Sequence, residues 1–331
     1  MKKFFTNRLF LVATLLLPSL LAVASSSKTY YSKLTASPLP SGAGSVYVSN
    51  STSKGTSNSA TKNSDSSDNS TTHTYRLDAT NSDEGYKWIG WYENNAGTGA
   101  AVSKSQTNYS YSIITSSTSS GSPTSKTIYA IWEGKSYKIA FDGNGATSGS
   151  MSEMSMVYGT AKNLTENGFQ RAYTVTYEAN GGECGTQSAT AEYTFANWKN
   201  GDNTYADKAN VNKLTQTENY TVTLAAQWTA ASVTLPAATR EDFGFLGWYE
   251  GDNKIGDANA SYTPTADVTL TAQWQPIARI TTAPAAVADL AYTGENQTLI
   301  SAGEAVNGTL LYSLDGENYS EELPQGKDAN T

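Results

Sequence analysis

The chain has 331 residues and a formal net charge of −8, with 30 acidic against 22 basic side chains. An acidic surface repels phosphate backbones and anionic headgroups, which argues against nucleic-acid binding and against a charge-held membrane contact. A single cysteine, Cys184, and a single histidine, His73, exclude an intrachain disulfide and a zinc site built from several such ligands.

In chain order, residues 1–24 read as a cleavable signal peptide. Lys2, Lys3 and Arg8 precede an apolar run over residues 9–23, and Ala22-Val23-Ala24 gives the small-x-small pattern ahead of Ser25. The run is shorter than the roughly 20 residues that span a bilayer. No cysteine follows it to carry a lipid, and no later segment is apolar enough to cross a membrane. Removing its three positive charges takes the chain from −8 to −11. The expected location is outside the cytoplasm: cell surface, envelope or extracellular space.

Beyond residue 28 the chain is rich in Tyr (21) and Trp (7), set among Ser, Thr, Asn and Gly. Aromatic and β-branched residues suit a half-buried pleated surface, and the small polar ones suit turns, so the expected class is mainly β. Residues 49–72 are almost wholly polar and read as a disordered loop inside a first module. Residues 115–125 read as a shorter loop of the same kind.

Six of the seven tryptophans fall into three pairs. The opening stretches are Ile89-Gly90-Trp91-Tyr92, Ala196-Asn197-Trp198-Lys199 and Leu246-Gly247-Trp248-Tyr249. Each pair closes on an alternating strand, ending at Trp132, Trp228 and Trp274. In the last two of these strands Val, Leu, Ala and Trp share one face at period 2, which predicts burial on one side. Tyr137-Lys138-Ile139-Ala140-Phe141-Asp142-Gly143-Asn144-Gly145 and Tyr173-Thr174-Val175-Thr176-Tyr177-Glu178-Ala179-Asn180-Gly181-Gly182 each predict a strand running into an Asn-Gly turn.

The strand with its Asn-Gly-Gly turn, the Gly-Phe-Leu-Gly-Trp-Tyr stretch at 244–249 and the Leu-x-Ala-x-Trp ending resemble the internalin-type B-repeats, also called Listeria–Bacteroides repeats. Residues 28–134 resemble a divergent form of the same repeat, with 42–48 as its hairpin strand. The remainder divides into a partial repeat at 135–171, modules at 172–229 and 230–275, and a segment at 276–331 that resembles a truncated immunoglobulin-like bacterial surface repeat. Whether 135–198 holds one repeat broken across two or a composite is left open by the residues. The resemblance implies small β-grasp-like modules in an elongated array with a partial β-sandwich at the C-terminal end. It also implies a surface or secreted protein acting as a spacer or adhesive element, without catalytic residues.

On the residues themselves, Trp91, Trp132, Trp198, Trp228, Trp248 and Trp274 recur at fixed points beside apolar partners and read as repeat core. Tyr92, Tyr249 and Tyr262 are the candidate surface contacts. His73 and Cys184 lack the context of a nucleophile and its base. The stretch from Asp142 to Glu153 misses the third oxygen ligand and the glycine of a calcium loop. No cofactor, metal or catalytic residue is expected. The expected function is an adhesin-like stalk or weak binding array, with a host or neighbouring-cell protein or glycan as partner. The alternative is a carbohydrate-binding accessory region of a longer secreted enzyme.

Overall fold

The computed structural model describes residues 27–66, 68–116 and 123–327, so the expected signal peptide lies outside the described residues. Among the described residues every regular element is a strand, and no helix is long and apolar enough to cross a membrane. The chain divides into two compact units, the first ending at Lys135 and taking in residues 216–218, the second formed by 136–215 and 219 onward. Strands of four or more residues are numbered in order.

The first unit holds β1 (Lys28–Leu39), β2 (Gly44–Ser49), β3 (Ser59–Ser66), β4 (Thr71–Asn81), β5 (Tyr86–Tyr92), β6 (Tyr109–Thr115) and β7 (Thr124–Gly134). They form one sheet in the order β3-β1-β7-β5 and another in the order β2-β4-β6. Alternate residues of β1 (Tyr30, Ser32, Leu34 and Ala36) are fully buried, as a strand covered on one face requires. Their counterparts across the core are Tyr75, Leu77 and Ala79 of β4. The first and last strands are parallel neighbours, Ser32↔Thr124 through Leu39↔Ile131.

Residues 59–66 were expected within a disordered loop, and they form β3 instead. This strand runs antiparallel to β1 from Lys28↔Ser66 to Thr35↔Ser59. A backbone ladder needs no apolar side chains, and polar contacts add to it, such as Asn50 Nδ2 donating to Thr61 O at 3.0 Å. The loop expected at 115–125 gives its last two residues to β7, and residues 117–122 lie outside the described residues.

The second unit holds β8 (Ser136–Asp142), β9 (Met154–Val157), β10 (Phe169–Glu178), β11 (Ser188–Asn200), β12 (Thr221–Thr229), β13 (Phe243–Glu250), β14 (Asn253–Gly256), β15 (Val268–Pro276) and β16 (Arg279–Thr282). The main sheet runs β9-β8-β12-β11-β10-β15-β13-β14. Two contacts in it are parallel: β8 with β12, Thr221↔Lys138 to Ala225↔Asp142, and β10 with β15, Val175↔Val268 to Glu178↔Thr271.

These pairings interleave two repeats. β8 and β9, from 136–157, are completed by the second half of β11 and by β12. β10 and the first half of β11 are completed by β13 to β15. β11 serves both, with 188–193 on β10 and 194–199 on β12. Pairing therefore runs across the divisions read from the sequence at 171/172 and 229/230. The second of these cores gathers Val175, Tyr177 and Ala191 from the early segment with Leu235, Trp248, Leu270 and Ala272 from the late one.

Past β15, β16 pairs with Glu304–Val306, and Gln297–Thr298 pairs with Gln325–Gly326. Ile280, Leu290, Tyr292, Leu311, Leu314 and Tyr319 are exposed here. Two short ladders with exposed apolar side chains occupy the segment read as a partial sandwich, one of four residues against three and one of two against two, and strands so short bring few alternating side chains to one face.

Candidate functional site

The three opening strands share one geometry. Trp88 faces Trp132, Phe195 faces Trp228 and Phe245 faces Trp274, and in each case the register slips by one residue before Trp91, Trp198 or Trp248 meets an alanine of the closing strand. The slip is decisive. Residues three apart on a regular strand point to opposite faces, but one unpaired residue resets the alternation and puts both rings on the same side.

The result is a three-ring ladder repeated three times. Centroids lie 5.5, 4.9 and 5.7 Å apart from the first ring to the opening Trp, and 5.0, 5.9 and 5.4 Å apart from the first ring to the closing Trp. These are tilted or edge-on contacts, the favoured arrangement for aromatic pairs.

The hairpin turns lock onto the ladder. Trp228 Nε1 donates to Gly143 O and Trp274 Nε1 to Ala179 O, each at 3.0 Å. Asn144 and Asn180, both at positive φ, donate from Nδ2 to Ala226 O and Ala272 O. A Cβ on Gly182 would sit 2.5 Å from the Trp274 ring, so only glycine admits the indole there.

Trp91, Trp198 and Trp248 are completely buried, Trp132 is buried, and Trp228 and Trp274 are half-buried. Of the tyrosines proposed as surface contacts, Tyr249 and Tyr262 are half-buried. Tyr92 is buried, with 6% exposure, which corrects the expectation for it. The cause is a segment beside β5 that carries no strand signal of its own: Trp91 N donates to Ser103 O and Val102 N to Trp91 O, both at 2.8 Å.

Two further polar arrangements stand out. In the first unit His73 is buried, its Nδ1 2.5 Å from Ser32 Oγ and its Nε2 2.8 Å from Ser64 Oγ, while Ser32 Oγ lies 2.7 Å from the Tyr75 hydroxyl. Burial, and then the charge of Lys62, hold the imidazole pKa below its ordinary value. Ser32 has no exposed surface, while Ser64 at the other end of this chain of hydroxyls and imidazole is half-buried. In the sequence His73 has no catalytic context, and it stands one residue past the polar stretch at 49–72. The signal lay in its period-2 spacing from Tyr75, Leu77 and Ala79, which puts it on the core face.

In the second unit Asn167, Phe169, Arg171, Tyr193, Phe195 and Trp228 line a cleft of about 240 Å³. The Arg171 guanidinium lies 4.9 Å from the Tyr193 ring centroid and 5.5 Å from that of Tyr173, and its Nε donates to the Tyr173 hydroxyl. Cys184 is half-buried and its thiol donates to Thr186 O. Among the described residues no three His, Cys, Asp or Glu side chains gather as metal ligands.

Residues 223–273 match the family model described as the Listeria-Bacteroides repeat domain. The chain carries a Listeria-Bacteroides repeat. The matched residues hold the opening Trp248 and reach to the residue before the closing Trp274, but the strand that lies parallel to the closing one does not come from them. That strand is β10, which ends 45 residues before the matched stretch begins. The Listeria-Bacteroides repeat here is thus assembled from two separated pieces of chain.

No curated protein matches the chain. Two crystal structures of the major pilin of Streptococcus pyogenes, one of them a point mutant, align over 76% of this chain. They do so at 12% and 10% identity, over 100% and 99% of the pilin chains, with TM-scores of 0.13 and 0.12.

Proposed function

We propose that the protein is an exported bacterial surface protein whose β modules form a stalk that also makes weak contacts with proteins or glycans, without catalysis. The observation that carries this reading is the aromatic ladder built three times in one register. It spends the most distinctive side chains of each module on packing, which suits a repeated spacer. The N-terminal sequence and the Listeria-Bacteroides repeat at 223–273 support the same reading.

The test is protease shaving of intact cells that express the chain. Surface display predicts that added protease cleaves it while cytoplasmic markers stay whole. A protein that is protected, and keeps residues 1–24, would sink the proposal.

The second reading, a carbohydrate-binding accessory region, is favoured by the cleft, where half-buried Phe195 and Trp228 flank Arg171. Aromatic faces beside polar donors suit a sugar ring. A glycan array probed with the whole chain separates the two: specific binding that is lost in Arg171→Gln supports the accessory reading, and an empty array supports the stalk.

A further inference from the structure

The order and direction of the strands carry an inference that rests on the stalk reading and extends it. Chain enters the interleaved pair at the start of β8 and leaves at the end of β15. Along the path between them β8 and β12 are parallel, β12 and β11 antiparallel, β11 and β10 antiparallel, and β10 and β15 parallel. Two reversals cancel, so β8 and β15 point the same way. Tension applied through the chain then pulls β8 from its first residue and β15 from its last, in opposite senses along parallel strands. Every ladder between them is loaded lengthwise, so its hydrogen bonds share the force at once. A hairpin pulled from its open end meets the same force one bond at a time.

We propose that residues 136–276 are a single force-bearing clamp, which resists tension in shear and gives way in one step. The interleaving makes the step single. β11 is continuous through both repeats, and β10, which completes the second repeat, is covalently held on both sides by parts of the first. Neither repeat can leave the sheet without removing a strand from the other. The first unit has the same feature in simpler form, since β1 and β7 are parallel neighbours at its entry and exit.

The experiment is single-molecule stretching of the full chain at constant load. Cys184→Ser and cysteine handles at Ser136 and Pro276 define the pulling points. The clamp predicts one release of 141 residues, counted from 136 to 276, or about 480 Å of extended chain less the folded end-to-end distance. Two shorter releases, matching 172–229 and 230–275 unfolding separately, would overturn it.

A second pair of handles, Ser136→Cys and Ala266→Cys, pulls from the same end of β8 and β15, across the ladders, and peels the strands. Peeling must unfold the unit at clearly lower force, and equal forces in the two geometries would remove the shear argument. Leu270→Ala, in β15, should speed the single step at fixed load by about ten-fold or more without splitting it. Failure of surface display would leave these results unchanged, and two-step unfolding would leave surface display unchanged.

Discussion

Arg240 and Phe243 are three positions apart, and the guanidinium lies 3.8 Å from the Phe243 ring centroid over a tight turn. In the other interleaved repeat Arg171 and Tyr193 hold the corresponding places ahead of Phe195 and Trp198, and they are strand partners. Both arginines pack against the hairpin glycine of their own repeat, Gly145 for Arg171 and Gly181 for Arg240. The difference is the chain between them. Where one repeat turns through two residues, the other sends out 172–192, and that hairpin supplies the first strand of its neighbour. A tight turn tolerates such an insertion because its ends are already adjacent, so the added loop costs little closure entropy. The cleft beside Trp228 lies where the inserted strands leave the repeat.

The largest test of this comparison is Trp248→Ala. Its ring is fully buried between segments from both halves of its repeat, and truncation should cost roughly 3–5 kcal/mol. Hydrogen exchange should show lost protection in β10 as well as in β13 and β15; protection kept in β10 would mean that the halves are not coupled. Trp274→Ala removes a half-buried ring, so its effect on the melting transition should be the smaller of the two.

Val175→Ala sharpens the same point from the other side, at roughly 2 kcal/mol. Although Val175 lies 48 residues before the matched repeat, amides of β13 and β15 should exchange faster, while those of β1 and β7 should be unaffected.

In the first unit the expected effect is smaller and depends on pH. The folded-state pKa of His73 is depressed, so the unfolded chain binds the extra proton, and stability is lost as pH falls below about 6.5. Thermal melts from pH 8 to 5 should show the first unit weakening toward the acid end, and His73→Gln should flatten that slope. The smallest effect is Arg240→Gln, which gives up a guanidinium contact worth about 0.5–1 kcal/mol at an exposed site. A loss as large as that of Trp248→Ala would show that the turn governs the repeat more than the ladder does.

The strand class and the three tryptophan pairs were legible in the sequence because each rests on local spacing: period 2 in the closing strands and a rare residue at a fixed offset. The exchange of halves was not legible. A parallel contact such as Val175↔Val268 leaves no local signal, since any alternating strand satisfies its ladder and the choice of partner is made across 93 residues. β3 was hidden for the opposite reason, because an edge strand of Ser, Thr, Asn and Lys looks like a loop when only apolar residues are counted. Of the tyrosines, Tyr249 and Tyr262 keep some exposed surface. Tyr92 does not, owing to backbone bonds between Trp91 and the loop at 102–103.

The strand shared by both repeats bears on how such a gene can change. Tandem modules are ordinarily gained or lost one at a time by recombination between neighbouring copies. Here an excision of 172–229 would delete the second half of one repeat together with the first half of the next, leaving β8 and β9 beside strands that are not their neighbours in the sheet. Loss of 230–275 would leave 172–192 as a hairpin with nothing to complete. A change of copy number that keeps both cores whole must therefore add or remove the two repeats together, since one strand serves both.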